Sequence, residues 1–95
     1  MKQLTKKEDI KVGDVVLRDW GKINNGRHNY VVVVTGFQGH LVVGDVVQSD
    51  GWTNEDASKQ HPVRFNINDG AKTLLVEDEA EKLSYKLVRR TKNGA

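Results

Sequence analysis

Val31, Val32, Val33 and Val34 stand in an unbroken run. Each carries two heavy atoms on Cβ, which restricts χ1, disfavours a helix and suits a pleated sheet. No polar residue alternates with them. The run therefore predicts a strand covered on both faces, a central or barrel strand rather than a half-wetted edge. Gly36-Phe37-Gln38-Gly39 then has the length and glycine content of a hairpin connection. Leu41, Val42 and Val43 resume the sheet, Gly44-Asp45 interrupts it, and Val46-Val47 resume again. Glycine inside a strand pattern marks a bulge or a sharp bend, and a strand bent at Gly44 can serve both halves of a curled sheet. Residues 29–48 are expected to form the central hairpin of a mainly β domain.

The flanking segments extend this pattern. Thr5-Lys6-Lys7-Glu8 has the spacing of a capping box, which predicts a helical turn at residues 6–9 with Leu4 and Ile10 tucked inward. Val12-Gly13-Asp14-Val15-Val16-Leu17-Arg18 reads as the first strand. From Asp9 to Leu17 a short turn, an apolar residue, Gly-Asp and a valine-rich strand follow one another. This stretch resembles the opening strand of SH3-like and KOW-type small barrels. The resemblance implies a barrel or curled sheet whose ligands are met by the loops and one open face, and it transfers no functional residue. Val12-Gly13-Asp14-Val15-Val16 recurs as Val43-Gly44-Asp45-Val46-Val47, 31 residues on. A duplicated ββ unit would explain the recurrence. So would the frequency of Gly-Asp before valines as a turn-to-strand solution, and two copies are few for a true repeat.

Beyond the hairpin, Val63, Phe65 and Ile67 alternate with Arg64 and Asn66, a half-buried strand with Pro62 at its first position. Asn68-Asp69-Gly70 is a tight turn, after which Lys72 to Val76 is expected to return as the second arm of a hairpin. The C-terminal segment supports two readings. Val76, Ala80, Leu83 and Leu87 fall at helical spacing, with acids early and bases late as a helix dipole favours. Leu83, Tyr85 and Leu87 also alternate as a closing strand would. A helical turn at 77–82 followed by a strand at 83–90 is the favoured reading, with one helix over 77–91 as the alternative. The expectation is one domain, residues 1–95, with 1–10 and 91–95 peripheral. Its class is mainly β: a small SH3-like or related curled barrel of five or six strands, with a short N-terminal helical turn.

Composition narrows the function. A chain of 95 residues buries about 60–65 % of its unfolded surface, so the core is modest and valine supplies most of it. The chain has no cysteine, which removes disulfides, thiol catalysis and cysteine-held metals, and suits a cytoplasmic location. No apolar run approaches the ~18 residues of a membrane span, and residues 1–8 lack an apolar signal region. The net charge is only +2, too small a field to make phosphate attraction dominant.

No motif carries catalysis. His28, His40 and His61 are spaced by 12 and 21 residues, which matches no metal-ligand pattern. The serines sit in no nucleophile elbow, and the glycines form no phosphate loop. A non-enzymatic module with no metal or cofactor is expected. The long polar stretches 19–28 and 49–61 are candidate binding loops. Each holds one tryptophan, Trp20 and Trp52, flanked by polar residues and glycine. Two roles compete for these rings: anchors in a binding surface, or plugs folded back on the barrel ends. On the first, Trp20 and Trp52 are the anchors, Arg18, Lys22 and Arg27 the polar contacts, and Tyr30 and Phe37 lie near the same rim. The favoured partner is a protein, with the chain as an accessory or inhibitor of a larger assembly, monomeric or a weak homodimer. The alternative is a nucleic-acid-binding barrel that stacks bases on the same surface.

Overall fold

The computed structural model describes residues 1–21, 28–49 and 62–94, with side chains through residue 88. The strands are β1 (Lys2–Leu4), β2 (Val15–Asp19), β3 (Tyr30–Gln38), β4 (Leu41–Ser49), β5 (Val63–Phe65) and β6 (Lys72–Leu75). They form one sheet in the order β1-β6-β2-β3-β4-β5. Every neighbouring pair is antiparallel. A 3-10 turn at Lys7–Asp9 follows β1, and helix α1 (Glu79–Gly94) follows β6.

The valine run lies in the middle of this sheet, between β2 and β4. All four valines are buried, and they part by alternation. Val32 and Val34 join Val16, Val42 and Val46 in one core, which also takes Leu4, Ile10, Phe65 and Ile67. Val31 and Val33 join Val15, Val47 and Val76 in a second core on the other face. Leu4 comes from edge strand β1 and Phe65 from edge strand β5, so the sheet curls until both edges lean on one interior. Among the described residues the sheet remains open, with β1 and β5 as its edges. The mainly β architecture of six strands is present, and the described strands do not close into a barrel.

Two register shifts bend the central hairpin. Val31 pairs with Gln48 and Val32 with Val46, which leaves Val47 as an extra residue on β4. Val34 pairs with Gly44 and Gly36 with Val43, which leaves Thr35 extra on β3. Gly44 is therefore not itself the bulge. It lies where β3 approaches most closely, and a Cβ there would collide with a methyl of Val32 and the carbonyl of Val33. The earlier copy of the same five-residue word does something else. Gly13 turns the chain at φ 94°, and Asp14 accepts the Lys11 N–H at 2.9 Å. One pentapeptide thus serves as a turn in one place and as mid-strand in the other.

Three expectations are corrected. β6 does not form a hairpin with β5. The turn after β5, with Gly70 at φ 107°, carries the chain to the other side of the sheet, where β6 pairs with both β2 and β1. Alternation specifies which face of a strand is buried and says nothing about its neighbour. Residues 1–10, expected to be peripheral, instead supply edge strand β1, while Leu4 and Ile10 are tucked into the core as expected. The C-terminal segment is one helix, not a turn and a strand. Asp78 starts it by accepting the Glu81 N–H on its carboxylate at 2.8 Å and the Lys82 N–H on its carbonyl at 2.9 Å. Tyr85 and Val88 then pack on the second core. A buried valine contributes roughly 1.5 kcal/mol. Leaving the five valines of that face bare would cost on the order of the whole stability margin of a small domain.

The contact at Gly44 makes a prediction. Gly44→Ala forces β3 and β4 apart and destabilises the fold by about 1–3 kcal/mol. The control Gly36→Ala meets open space and changes stability by well under 1 kcal/mol. Urea denaturation of the two variants measures the difference.

Candidate functional site

In β2 the alternation that buries Val16 also buries the residue two places on, which is Arg18. The register lines Thr73 of β6, Arg18 of β2, Tyr30 of β3 and Ser49 of β4 into one row across four strands. The row crosses the end of the sheet from which segments 20–29 and 50–62 depart. Arg18 has no exposed surface. A charge in that position is tolerable only if it is paired and hydrogen-bonded. Its guanidinium donates to Thr73 Oγ1 at 2.5 Å and pairs with the Asp69 carboxylate. The guanidinium carbon also lies 4.1 Å from the centre of the Phe65 ring and 5.9 Å from that of Trp20, in the cation–π range.

Tyr30 completes the layer. Burial raises the pKa of its hydroxyl. A hydrogen bond from Arg18 and the charge of Arg18 oppose that rise, and the charge of Asp69 adds to it. Two polar atoms in the row, Arg18 Nε and Ser49 Oγ, are buried and have no hydrogen-bond partner among the described residues.

The rim above the row is held locally. Asn29 Oδ1 accepts the Trp20 N–H at 2.7 Å, and Asp19 Oδ1 accepts the Gly21 N–H at 2.8 Å. Together these contacts pinch the neck of the segment between β2 and β3. On the opposing turn, Asp69 Oδ1 accepts the Ala71 N–H at 3.1 Å. A Cβ on Gly70 would sit 3.4 Å from Trp20 Cζ3. Trp20 is accordingly half-buried, laid against the turn that carries Asp69. Neither of the two roles weighed for it describes it alone.

The residues expected to form one binding surface divide. Arg18, expected as a surface contact, is entirely buried and neutralised by Asp69. Trp20 and Tyr30 remain at the same end. Phe37 lies seven residues further along β3 than Tyr30, about 20 Å away at ~3.3 Å per residue. There it is 42 % exposed, with Lys7 Nζ 5.9 Å from its ring centre. The same lysine donates to the Gly39 carbonyl at 2.8 Å, fastening the N-terminal turn to the β3–β4 hairpin tip. Lys22, Arg27 and Trp52 lie outside the described residues, as does His61.

Sequence reading missed Asp69, Thr73 and Ser49. The signal for them was the phase of β2: an arginine in step with Val16 requires a counter-ion from somewhere in the fold. A concavity of about 310 Å³ lies at the other end, lined by Thr5–Glu8, His40 and residues 66–68. Among the described residues, no three His, Asp or Glu side chains gather as a metal site would. No helix there is long and apolar enough to cross a membrane. No family model, curated protein or solved structure matches this chain.

Two predictions follow from the buried layer. Asp69→Ala leaves Arg18 buried and unpaired and costs about 3–5 kcal/mol, whereas the double variant Arg18→Met/Asp69→Ala costs clearly less. Thermal or urea unfolding of both compares them. Tyr30 has a native pKa above its ordinary value of 10.0, so above pH 10 the unfolded chain binds fewer protons than the native one. Its contribution to stability is therefore complete below pH 10 and is lost as pH rises through the native pKa. Tyr85 is raised too, by burial and then by the charge of Glu81. In a Tyr85→Phe background, adding Tyr30→Phe should flatten the remaining alkaline fall in the urea midpoint between pH 9 and about pH 11.

Proposed function

We propose that this chain is a non-enzymatic interaction module, a curled sheet of SH3-like type, that binds a protein partner through the loop end above the Arg18 row. The resemblance of residues 9–17 to SH3-like opening strands supports that fold reading, as does the single interior shared by edge residues Leu4 and Phe65. The observation that carries the functional reading is the placement of Trp20. It is a half-buried aromatic ring on a rim whose base is an internally neutralised ion pair. Such a rim is stiff and presents a large apolar side chain with little conformational entropy left to lose, which is what a binding anchor requires.

The charge at this end favours a protein over a nucleic acid. Arg18 is consumed by Asp69 and offers nothing to a phosphate, and the whole chain carries only +2. Lys22, Arg27 and Trp52 belong to the segments that leave this same end, and in this reading they supply the outer contacts. The role is that of an accessory or inhibitor chain acting in the cytoplasm.

The test compares wild type with Trp20→Ala as immobilised baits against lysate of the protein's own cells. A discrete protein retained by wild type and weakened about 30-fold or more by Trp20→Ala is the expected result. Retention that is equal on both baits would overturn the reading. So would saturable, salt-sensitive quenching of tryptophan emission by single-stranded oligonucleotides, with no protein retained.

A further inference from the structure

We infer that the concavity at the hairpin end of the sheet is a binding site for a small hydroxylated organic anion, one that carries a phosphate or a carboxylate. Three separate parts of the chain converge on it: the turn that follows β1, the tip between β3 and β4, and the turn after β5. Two contacts hold these parts together. Lys7 Nζ donates to the Gly39 carbonyl at 2.8 Å, and Ile67 is buried in the same core as Leu4 and Ile10. The hollow is therefore formed before a ligand arrives, which spares the ligand the cost of ordering its walls. Its volume of about 310 Å³ corresponds to roughly ten waters. That is more than a bare ion needs, and it lies in the range of small-molecule sites.

The lining sets the class of ligand, because it is rich in hydrogen-bond donors. An ammonium group has three N–H donors. Lys7 uses one on Gly39 and lies 5.9 Å from the centre of the Phe37 ring, which fixes its charge beside the hollow with two donors to spare. Lys6 and His40 are exposed, and among the described residues their side chains have no hydrogen bond or ion pair. Asn66 Oδ1 accepts the Asn68 N–H at 2.9 Å, which leaves the amide NH₂ of Asn66 as a further donor. Such a set matches an oxyanion, which gathers several acceptors at one point. Glu8 is the acid in the lining. At close range it would repel the anionic group, but it can accept a hydroxyl on the ligand's body, and Ile67 offers apolar surface to that body's C–H groups. The Trp20 rim lies at the opposite end of the sheet, so this site is independent of the protein-binding surface proposed above.

Amide chemical shifts of the isotope-labelled full chain test this at low salt, titrated in turn with glycerol phosphate, glycerate, inorganic phosphate and neutral glycerol. Glycerol phosphate or glycerate should saturably shift the amides of residues 5–8, 40 and 66–68, with a dissociation constant on the order of 1 mM. Whichever of the two binds more tightly identifies the anionic group, and it should bind more tightly than inorganic phosphate. Lys6→Ala and His40→Ala alter exposed positions, so circular dichroism should be unchanged while binding weakens about threefold or more. Glu8→Ala should strengthen the binding of inorganic phosphate and remove the advantage of the hydroxylated anion over it. The absence of saturable shifts with either organic anion up to about 50 mM would overturn the inference. Equal shifts with neutral glycerol would overturn it too, since no charge would then be recognised, and so would affinities that neither Lys6→Ala nor His40→Ala changes.

Discussion

A strand that is apolar on both faces has to be covered twice, and most of this structure answers that demand. Val32 and Val34 need one layer, Val31 and Val33 another. The sheet supplies the first layer by curling until its own edges, Leu4 and Phe65, reach the interior. It cannot supply the second, because a single curled sheet has one inside. Helix α1 provides it, laying Tyr85 and Val88 over the outer valines. The bulges at Thr35 and Val47 and the close approach at Gly44 belong to the same solution. They let the long central hairpin bend enough for its far strands to share a core.

The second organising element is a charge in an apolar place. Arg18 occupies a core position by phase, and the fold accommodates it with Asp69, Thr73, Tyr30 and the Phe65 ring. These partners come from four separate parts of the chain, so the pairing does more than neutralise a cation. It ties the turn after β5 to β2 and thereby locates β6, which pairs with β2 rather than returning beside β5. It also builds the floor on which Trp20 rests. Buried ion pairs contribute little net stability when set against apolar substitutes, but they penalise arrangements that separate the partners. Here the arrangement that keeps them together is also the one that shapes the loop end.

The molecule has two distinct ends. At one, the base is neutralised and the prominent ring is half-buried. At the other, Phe37 is exposed beneath Lys7, beside a polar concavity at the hairpin tip. Reading Arg18, Trp20, Tyr30 and Phe37 as one rim combined residues that β3 holds about 20 Å apart. Position along a strand is legible from sequence once its limits are known. Here the hairpin connection was placed at residues 36–39, whereas β3 runs on through Gln38 and turns at Gly39-His40. Under either placement Phe37 falls at the hairpin end of β3, opposite Tyr30 and the segments that leave beside it, so the separation was already legible from the spacing of the two residues.

The sequence by itself determined the local choices. Four consecutive β-branched residues demanded a strand covered on both faces, and the alternation through Val63, Phe65 and Ile67 placed all three against one core. A turn stands at Lys7–Asp9, close to where Thr5–Glu8 predicted one, but Lys6 occupies its N-cap and no side chain caps it. These features depend on neighbours in the chain, where χ1 restriction, hydrogen bonding and side-chain period act directly. The tertiary structure alone decided which strand lies beside β6, whether residues 83–90 extend or coil, and whether Arg18 faces water or Asp69. Each of those depends on what occupies the space opposite. Leu83, Tyr85 and Leu87 fit a strand or a helix equally well, until a bare valine face makes the helix the arrangement that removes most apolar surface from water.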